Sequence, residues 1–328
     1  MSPLAIDKLN LGLLLAALGA AFALPFELFL FAYAVLGPLH YLTEIGWLHE
    51  RSFFTRGRHD WIVLAAFALL ATLGASNVLG AQHVRAIAPF GNHLTFAAFA
   101  CALVFARFER PLERALGALS VVALTLAFAA TAPRAWFLFG LFVTTIVHVA
   151  VFTLAFMLFG ALKAKSRSGL LVAAAFVACG AAALLVPAGE PSIVGAYVHQ
   201  SYAPFQVLNR ELLRLLGGSG SGAEIFASET GRRVMRCVAF AYTYHYLNWF
   251  SKTSIIGWHR VHKGKLALTV AIWLASLALY AASYELGARW LFLLSFAHVI
   301  LEFPLNHVAF AGIGAELGGR FRRSPRST

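Results

Sequence analysis

Four histidines stand in stretches with few other polar groups: His40 in LGPLHYLTEIGWL, His148 in VTTIVHVAVFTLAF, His245 in AYTYHYLNWFSK and His298 in LLSFAHVILEFPLNH. Imidazole suits iron, copper and zinc, and helices that each present one ring toward a shared axis can build a metal site inside a bundle. Glu44 follows His40, and Glu302 follows His298, by one helical turn on the same face. Each carboxylate could orient its imidazole or bind the metal itself. Asn248 takes the corresponding place after His245, and Lys252 lies one turn further, where it could neutralise Glu44 or Glu302. His148 has Phe152 in that place, with Thr144 and Thr145 as its polar company. Tyr244, Glu44, Glu302 and Asn248 are the candidate catalytic groups, and Lys252, Asn306 and His307 are candidates to support the site from around it. A lone histidine in a membrane helix can also serve to hydrogen-bond across helices, a contribution of about 1 kcal/mol.

These residues must be carried by elements suited to lipid. The chain is 60% hydrophobic and 12% charged, with a mean hydropathy of +0.76. Its continuous apolar runs are of bilayer length and lack the period-two alternation of a membrane barrel, so the expected class is all-α, a polytopic helical bundle. The expectation is a single integral-membrane domain over residues 1–328 with about ten spans, near 8–24, 26–48, 60–82, 91–108, 116–132, 135–163, 169–188, 233–258, 266–283 and 288–313. Pro25 marks a turn and Pro38 a kink. Lys8 followed by LGLLLAALGAAFA imitates a secretory signal and is read as an uncleaved first span.

Charge in the loops supplies a topology. The formal net charge is +12, and it is dispersed in short clusters between apolar runs, not gathered in one stripe. That is the positive-inside pattern and excludes a nucleic-acid footprint. Clusters at Arg51, Arg56 and Arg58, at Arg110 and Arg114, at Lys163, Lys165 and Arg167, at Arg260, Lys263 and Lys265, and in the basic tail at 314–328 alternate with loops carrying Arg85, Arg134 and Arg289 singly. Both termini are then cytoplasmic, and the setting is a bacterial inner membrane. The four histidines lie about 14, 13, 12 and 10 residues into spans running the same way, a spread of about 6 Å in depth. The long connection at 189–232 is non-cytoplasmic and carries an amphipathic piece, APFQVLNRELLRLL, that ends at the GGSGSG hinge of 217–222.

Other features carry less chemistry. Cys101, Cys179 and Cys237 lie in apolar runs without CxxC spacing and read as buried hydrophobes. His49, His59, His259 and His262 fall at cytoplasmic ends among arginines and read as a basic interface, although His259 and His262 form an HxxH pair. Tyr33, Tyr41, Trp47, Tyr242, Tyr246, Trp249, Phe250, Phe296 and Phe303 crowd the histidine stretches; they either pack and anchor, or line a pocket for a long unsaturated or ring-bearing lipid. No nucleotide-binding loop, GxSxG elbow or HExxH helix is present.

PLHYLTE, TYHYLNWFSK and FAHVILEF, together with His148 in a mid-chain helix, resemble the bacterial Brp/Blh family of integral-membrane beta-carotene dioxygenases. The resemblance implies an all-helical bundle, a nonheme ferrous iron held by histidines, and dioxygen used on a polyene. The leading expectation is therefore a membrane-embedded nonheme iron oxygenase in which His40, His148, His245 and His298 hold Fe(II) and the partners are membrane lipids, a lipophilic substrate and dioxygen. Alternatives are an electron carrier with haem or another transition metal on these histidines, and an ion or metal transporter using the histidine, Glu and Lys cluster.

Overall fold

The computed structural model describes residues 2–75, 87–189, 194–252, 257 and 261–323, and every regular element among them is helical. In chain order the helices are α1 (Pro3–Ala23), α2 (Pro25–Phe31), α3 (Gly37–His49), α4 (Asp60–Ala75), α5 (Gly91–Arg107), α6 (Pro111–Phe128), α7 (Pro133–Val143) and α8 (Thr153–Lys163). There follow α9 (Arg167–Leu185), α10 (Ala196–Tyr202), α11 (Gln206–Leu215), α12 (Gly222–Ala227), α13 (Glu229–Ser251), α14 (Lys263–Ala282) and α15 (Tyr284–Arg323). Two wider π turns, Ala32–Leu36 and Val147–Phe152, lead into α3 and α8.

Among the described residues seven helical stretches are long and apolar enough to cross a membrane, and eight if the bent pair Pro133–Thr144 and Val147–Lys163 is one span. Two of the ten expected spans fall short for different reasons. Helix α4 is apolar but 16 residues long, and residues 76–86 of that expected span lie outside the described residues. Helix α13 is 23 residues long, yet Glu229, Arg232, Arg233 and Arg236 occupy its first turns and shorten its apolar stretch below the ~20 residues a bilayer core asks for. Long apolar side chains lie exposed along α6, among them Leu112, Leu116, Leu119, Leu124 and Leu126. A helix that offers so much hydrocarbon outward fits contact with lipid.

The chain divides into two compact units, Met1–Tyr41 with Leu171–Leu291 and Leu42–Leu170 with Phe292–Thr328. In the first, α13 is the central element, packed against α1, α2, α11 and α12. Ser228 caps its start, accepting a hydrogen bond from the Gly231 N–H at 2.8 Å. Gly231 is required by the close approach of α12, since a Cβ there would lie 2.2 Å from the Glu224 carbonyl oxygen. The charged first turns of α13 find partners at the end of α9: Arg233 donates to the Leu184 carbonyl at 2.6 Å, Arg232 to Gly189 at 2.7 Å, and Arg236 to Val186 and Pro187. Guanidinium groups thus satisfy carbonyls that a helix C-terminus leaves open, on the end where the helix dipole favours positive charge.

The segment after α9 is largely helical in its described residues. The amphipathic piece forms α11, which buries Leu208, Asn209, Glu211 and Leu213 and exposes Val207 and Leu215. It ends where expected, and Gly217 and Gly220 take φ of +85° and +70°. Glu224 then closes the turn, accepting from Ser219 Oγ at 2.6 Å and from the Gly220 N–H at 2.8 Å. The Ser219 hydroxyl, chiefly, holds the Glu224 carboxyl below its ordinary value.

In the second unit α5 packs against α4, α6 and α7. Its core joins Leu48, Leu64, Ala98, Ala102, Phe105 and Phe152 to Val299, Ile300 and Phe303. The loop before α4 is tied down by Asp60, which accepts from the Gly57 N–H at 2.8 Å and pairs with Arg114 at 3.3 Å.

Candidate metal centre

Both π turns precede or contain a histidine of the set, and local sequence explains each. Pro38 has no N–H and its ring presses on the carbonyl four residues back. The backbone answers by widening one turn, so that the Gly37 N–H bonds Ala32 O, and the Trp273 indole donates to Val35 O at 2.9 Å. The expected kink at Pro38 is thus taken up as a π turn, with α3 carrying His40 immediately after it. In the other unit Thr144 Oγ1 donates to Gly140 O at 2.7 Å and Thr145 Oγ1 to Leu141 O at 2.5 Å. Such back-bonding bends helices, and the pair of helices is bent by 44° at this break. The π turn Val147–Phe152 follows directly and holds His148. Turns of this kind are frequent at functional sites.

The first unit brings His40 and His245 together. Their Nε2 atoms lie 3.0 Å apart, with the rings 4.7 Å between centroids at 80°. Tyr246 packs against His40 at 5.1 Å, and its hydroxyl lies 2.8 Å from that of Tyr41. Trp249 and Phe250 also flank His40. Gly37 makes room for the hydroxyl pair, for a Cβ there would sit 3.0 Å from Tyr41 Oη.

The second unit holds a matching pair. His148 and His298 place their Nε2 atoms 3.2 Å apart, with centroids at 5.0 Å and rings at 79°. Glu302 Oε2 lies 3.3 Å from His148 Nδ1, both side chains being almost wholly buried. Glu302 therefore serves the histidine of another helix, whereas its helical spacing had assigned it to His298. A carboxylate at Nδ1 favours the tautomer with the proton on that nitrogen and leaves Nε2 with its lone pair. Glu44, buried on α3, is an electrostatic neighbour of Glu302.

His40 and His245 in the first unit, and His148 and His298 in the second, are all buried. The same four residues were singled out by their apolar surroundings.

The remaining candidates are placed as follows. Asn248 is buried one turn beyond His245, its carbonyl accepting from Ser251 Oγ at 2.7 Å. Tyr244 is fully buried, with its ring against Phe176 at 5.2 Å and stacked with Phe240 at 6.2 Å. On a helix, neighbours in sequence are about 100° apart, so Tyr244 faces α9 while Tyr246 reaches His40. Lys252 caps the C-terminus of α13, half-buried. Asn306 is buried on α15. His307 meets the Phe99 carbonyl oxygen at 2.9 Å and the Phe99 ring at 4.5 Å, which gives it a packing role. His262 caps α14 by accepting from the Gly264 N–H at 3.2 Å. His259, its HxxH partner, lies outside the described residues, as does His83. His49 meets Phe53 edge-on, and His93 meets the Ala129 carbonyl at 3.0 Å.

The paired Tyr41 and Tyr246 hydroxyls were not foreseen. Both residues stood out as aromatic, but their hydroxyl contact joins positions far apart in the chain. No protein-family model, curated protein or solved structure matches this chain.

Proposed function

We propose that this chain is a membrane-embedded, metal-dependent oxygenase that holds ferrous iron with His40, His148, His245 and His298 and acts on a lipophilic, carotenoid-like substrate. The observation that carries the reading is two buried imidazole pairs, His40 with His245 in one unit and His148 with His298 in the other, each with its Nε2 atoms in contact. The donors suit a transition-metal ion: two nitrogens bound to one ion at 2.0–2.1 Å lie about 3.0 Å apart at a right angle and about 3.4 Å apart at a tetrahedral angle. The Nε2 separations of 3.0 and 3.2 Å match that range. Buried Glu44 and Glu302 add weight, because a divalent ion on neutral imidazoles supplies the positive charge that buried carboxylates require.

When bound, ferrous iron supplies one-electron chemistry toward dioxygen. The chain's own residues do the rest of the work in this reading. Glu302 approaches the His148 ring at Nδ1, which would leave the Nε2 lone pair to hold a metal ion. Tyr246 and Trp249 brace His40. Apolar surroundings favour a hydrocarbon substrate. The motifs PLHYLTE, TYHYLNWFSK and FAHVILEF, by their likeness to the Brp/Blh family, supply the polyene part of the proposal.

The test is dioxygen uptake by ferrous-loaded protein in detergent on addition of lipophilic polyenes. The reading expects substrate-dependent uptake that is lost in His245→Ala and after replacement of iron by zinc. Iron-loaded protein that consumes no dioxygen with any polyene would sink the oxygenase assignment, and activity that survives His245→Ala would sink the site.

A further inference from the structure

Helix α15 carries a polar column that the metal reading does not use up. Glu302 and Asn306 are 0% and 1% exposed. Both carboxylate oxygens of Glu302, and both the oxygen and the nitrogen of the Asn306 amide, lack a hydrogen-bond partner among the described residues; His148 Nδ1 approaches Glu302 at ion-pair distance. Pro304 lies between them and has no N–H, so it offers nothing to the Ile300 carbonyl one turn back. Both side chains sit on a stretch whose neighbouring residues, Ile300, Leu301 and Phe303, belong to the apolar core of the same unit. Buried polar groups in native proteins are nearly always satisfied, by protein or by ordered water. Among the described residues nothing hydrogen-bonds to these atoms, and ordered water is the partner that such buried groups otherwise take.

The dimensions suit it. One helical turn from residue 302 to residue 306 rises about 6 Å, and hydrogen-bonded oxygens lie about 2.8 Å apart, so one or two waters bridge the two side chains. A buried water makes about three hydrogen bonds. Asn306 contributes a donor and an acceptor, and Glu302 contributes acceptors.

We propose that Glu302 and Asn306 bind a short chain of ordered water inside the second unit, extending along α15 from the Glu302–His148 contact. The site is a hydrated pocket with water as its ligand. The inference rests on the polar atoms alone and stands whether or not a metal is bound by the histidines.

The test is hydroxyl-radical footprinting of the full-length protein in detergent, with radicals generated in place by brief X-ray exposure and read by mass spectrometry. Radicals formed from bound water label the side chains beside it. Phe303 and Leu305 are expected to be labelled several-fold faster than Phe105, a buried phenylalanine of the same unit. Asn306→Leu is expected to abolish that excess and to lower Tm by a few degrees, because it strips the water of its anchor. Labelling of Phe303 and Leu305 no faster than Phe105 would overturn the proposal. So would an Asn306→Leu protein with a raised Tm, the behaviour of a dry amide replaced by a hydrocarbon of similar size. If the variant does not fold, the wild-type labelling decides the matter alone.

Discussion

Replacing Glu302 by Gln keeps the shape of the side chain while removing the carboxyl group that lies 3.3 Å from His148 Nδ1. A divalent ion on Nε2 would lie about 7 Å from that carboxylate, and Coulomb attraction there is about 5 kcal/mol at an effective dielectric constant of ~20. Gln retains an acceptor oxygen for Nδ1–H, so the loss is a part of that ceiling. Removal of a carboxylate that orients a ligand histidine costs ten- to a hundredfold in metal affinity, about 1.4–2.8 kcal/mol. The assay is competition between detergent-purified protein and a chromophoric chelator of known affinity, with His148→Ala as the reference for losing a ligand outright. Size-exclusion profiles and Tm show whether each variant is folded. Folded Glu302→Gln protein with wild-type metal affinity would refute the reasoning, and so would a loss as large as that of His148→Ala, which would make Glu302 itself a ligand.

Two further outcomes follow from the packing of α12 and its flanking turn. Gly231→Ala drives a Cβ to 2.2 Å from the Glu224 carbonyl oxygen and 2.5 Å from that of Ile225. The backbone must move, at a cost of about 1–3 kcal/mol, so thermal unfolding shifts downward; an unchanged Tm contradicts the close contact. Glu224 titrates below its ordinary value because Ser219 bonds its ionised form. Its stabilisation of the 217–224 turn is complete above the unfolded-chain value of about 4.3 and is lost as pH falls through the lower folded value. Amide exchange of this segment, corrected for intrinsic rates, is expected to lose protection in that acid window, and Glu224→Gln to abolish the pH dependence. Equal protection of the wild type on both sides of it would refute the assignment.

The class of the fold and the identity of the four histidines were legible because each signal is local. Long apolar runs have no soluble alternative at this composition, and an imidazole inside such a run stands out at once. What was not legible depends on contacts between distant residues or on backbone departures from the α period. Glu302 sits in phase with His298 by helical spacing, yet the carboxylate reaches across to His148, whose own neighbours in sequence offer no acid. The wide turns at Ala32–Leu36 and Val147–Phe152 shift the register that a 3.6-residue period assumes. Tyrosines 244 and 246, two residues apart, look interchangeable in sequence, and the helix turns them toward different neighbours. Helix α13 shows the limit of hydropathy: its arginines disqualify it as a simple span, while their bonds to the end of α9 let it be the most thoroughly packed element of its unit.

The most direct test of the central claim is the metal content of the protein as purified without chelator, combined with X-ray absorption at the metal edge. The account predicts about one transition-metal ion per chain, surrounded by imidazole nitrogens at roughly 2.0–2.1 Å, with occupancy lost in His40→Ala and in His298→Ala alike. A chain that holds no ion after loading with ferrous iron, or one whose ion survives loss of either histidine, would contradict it.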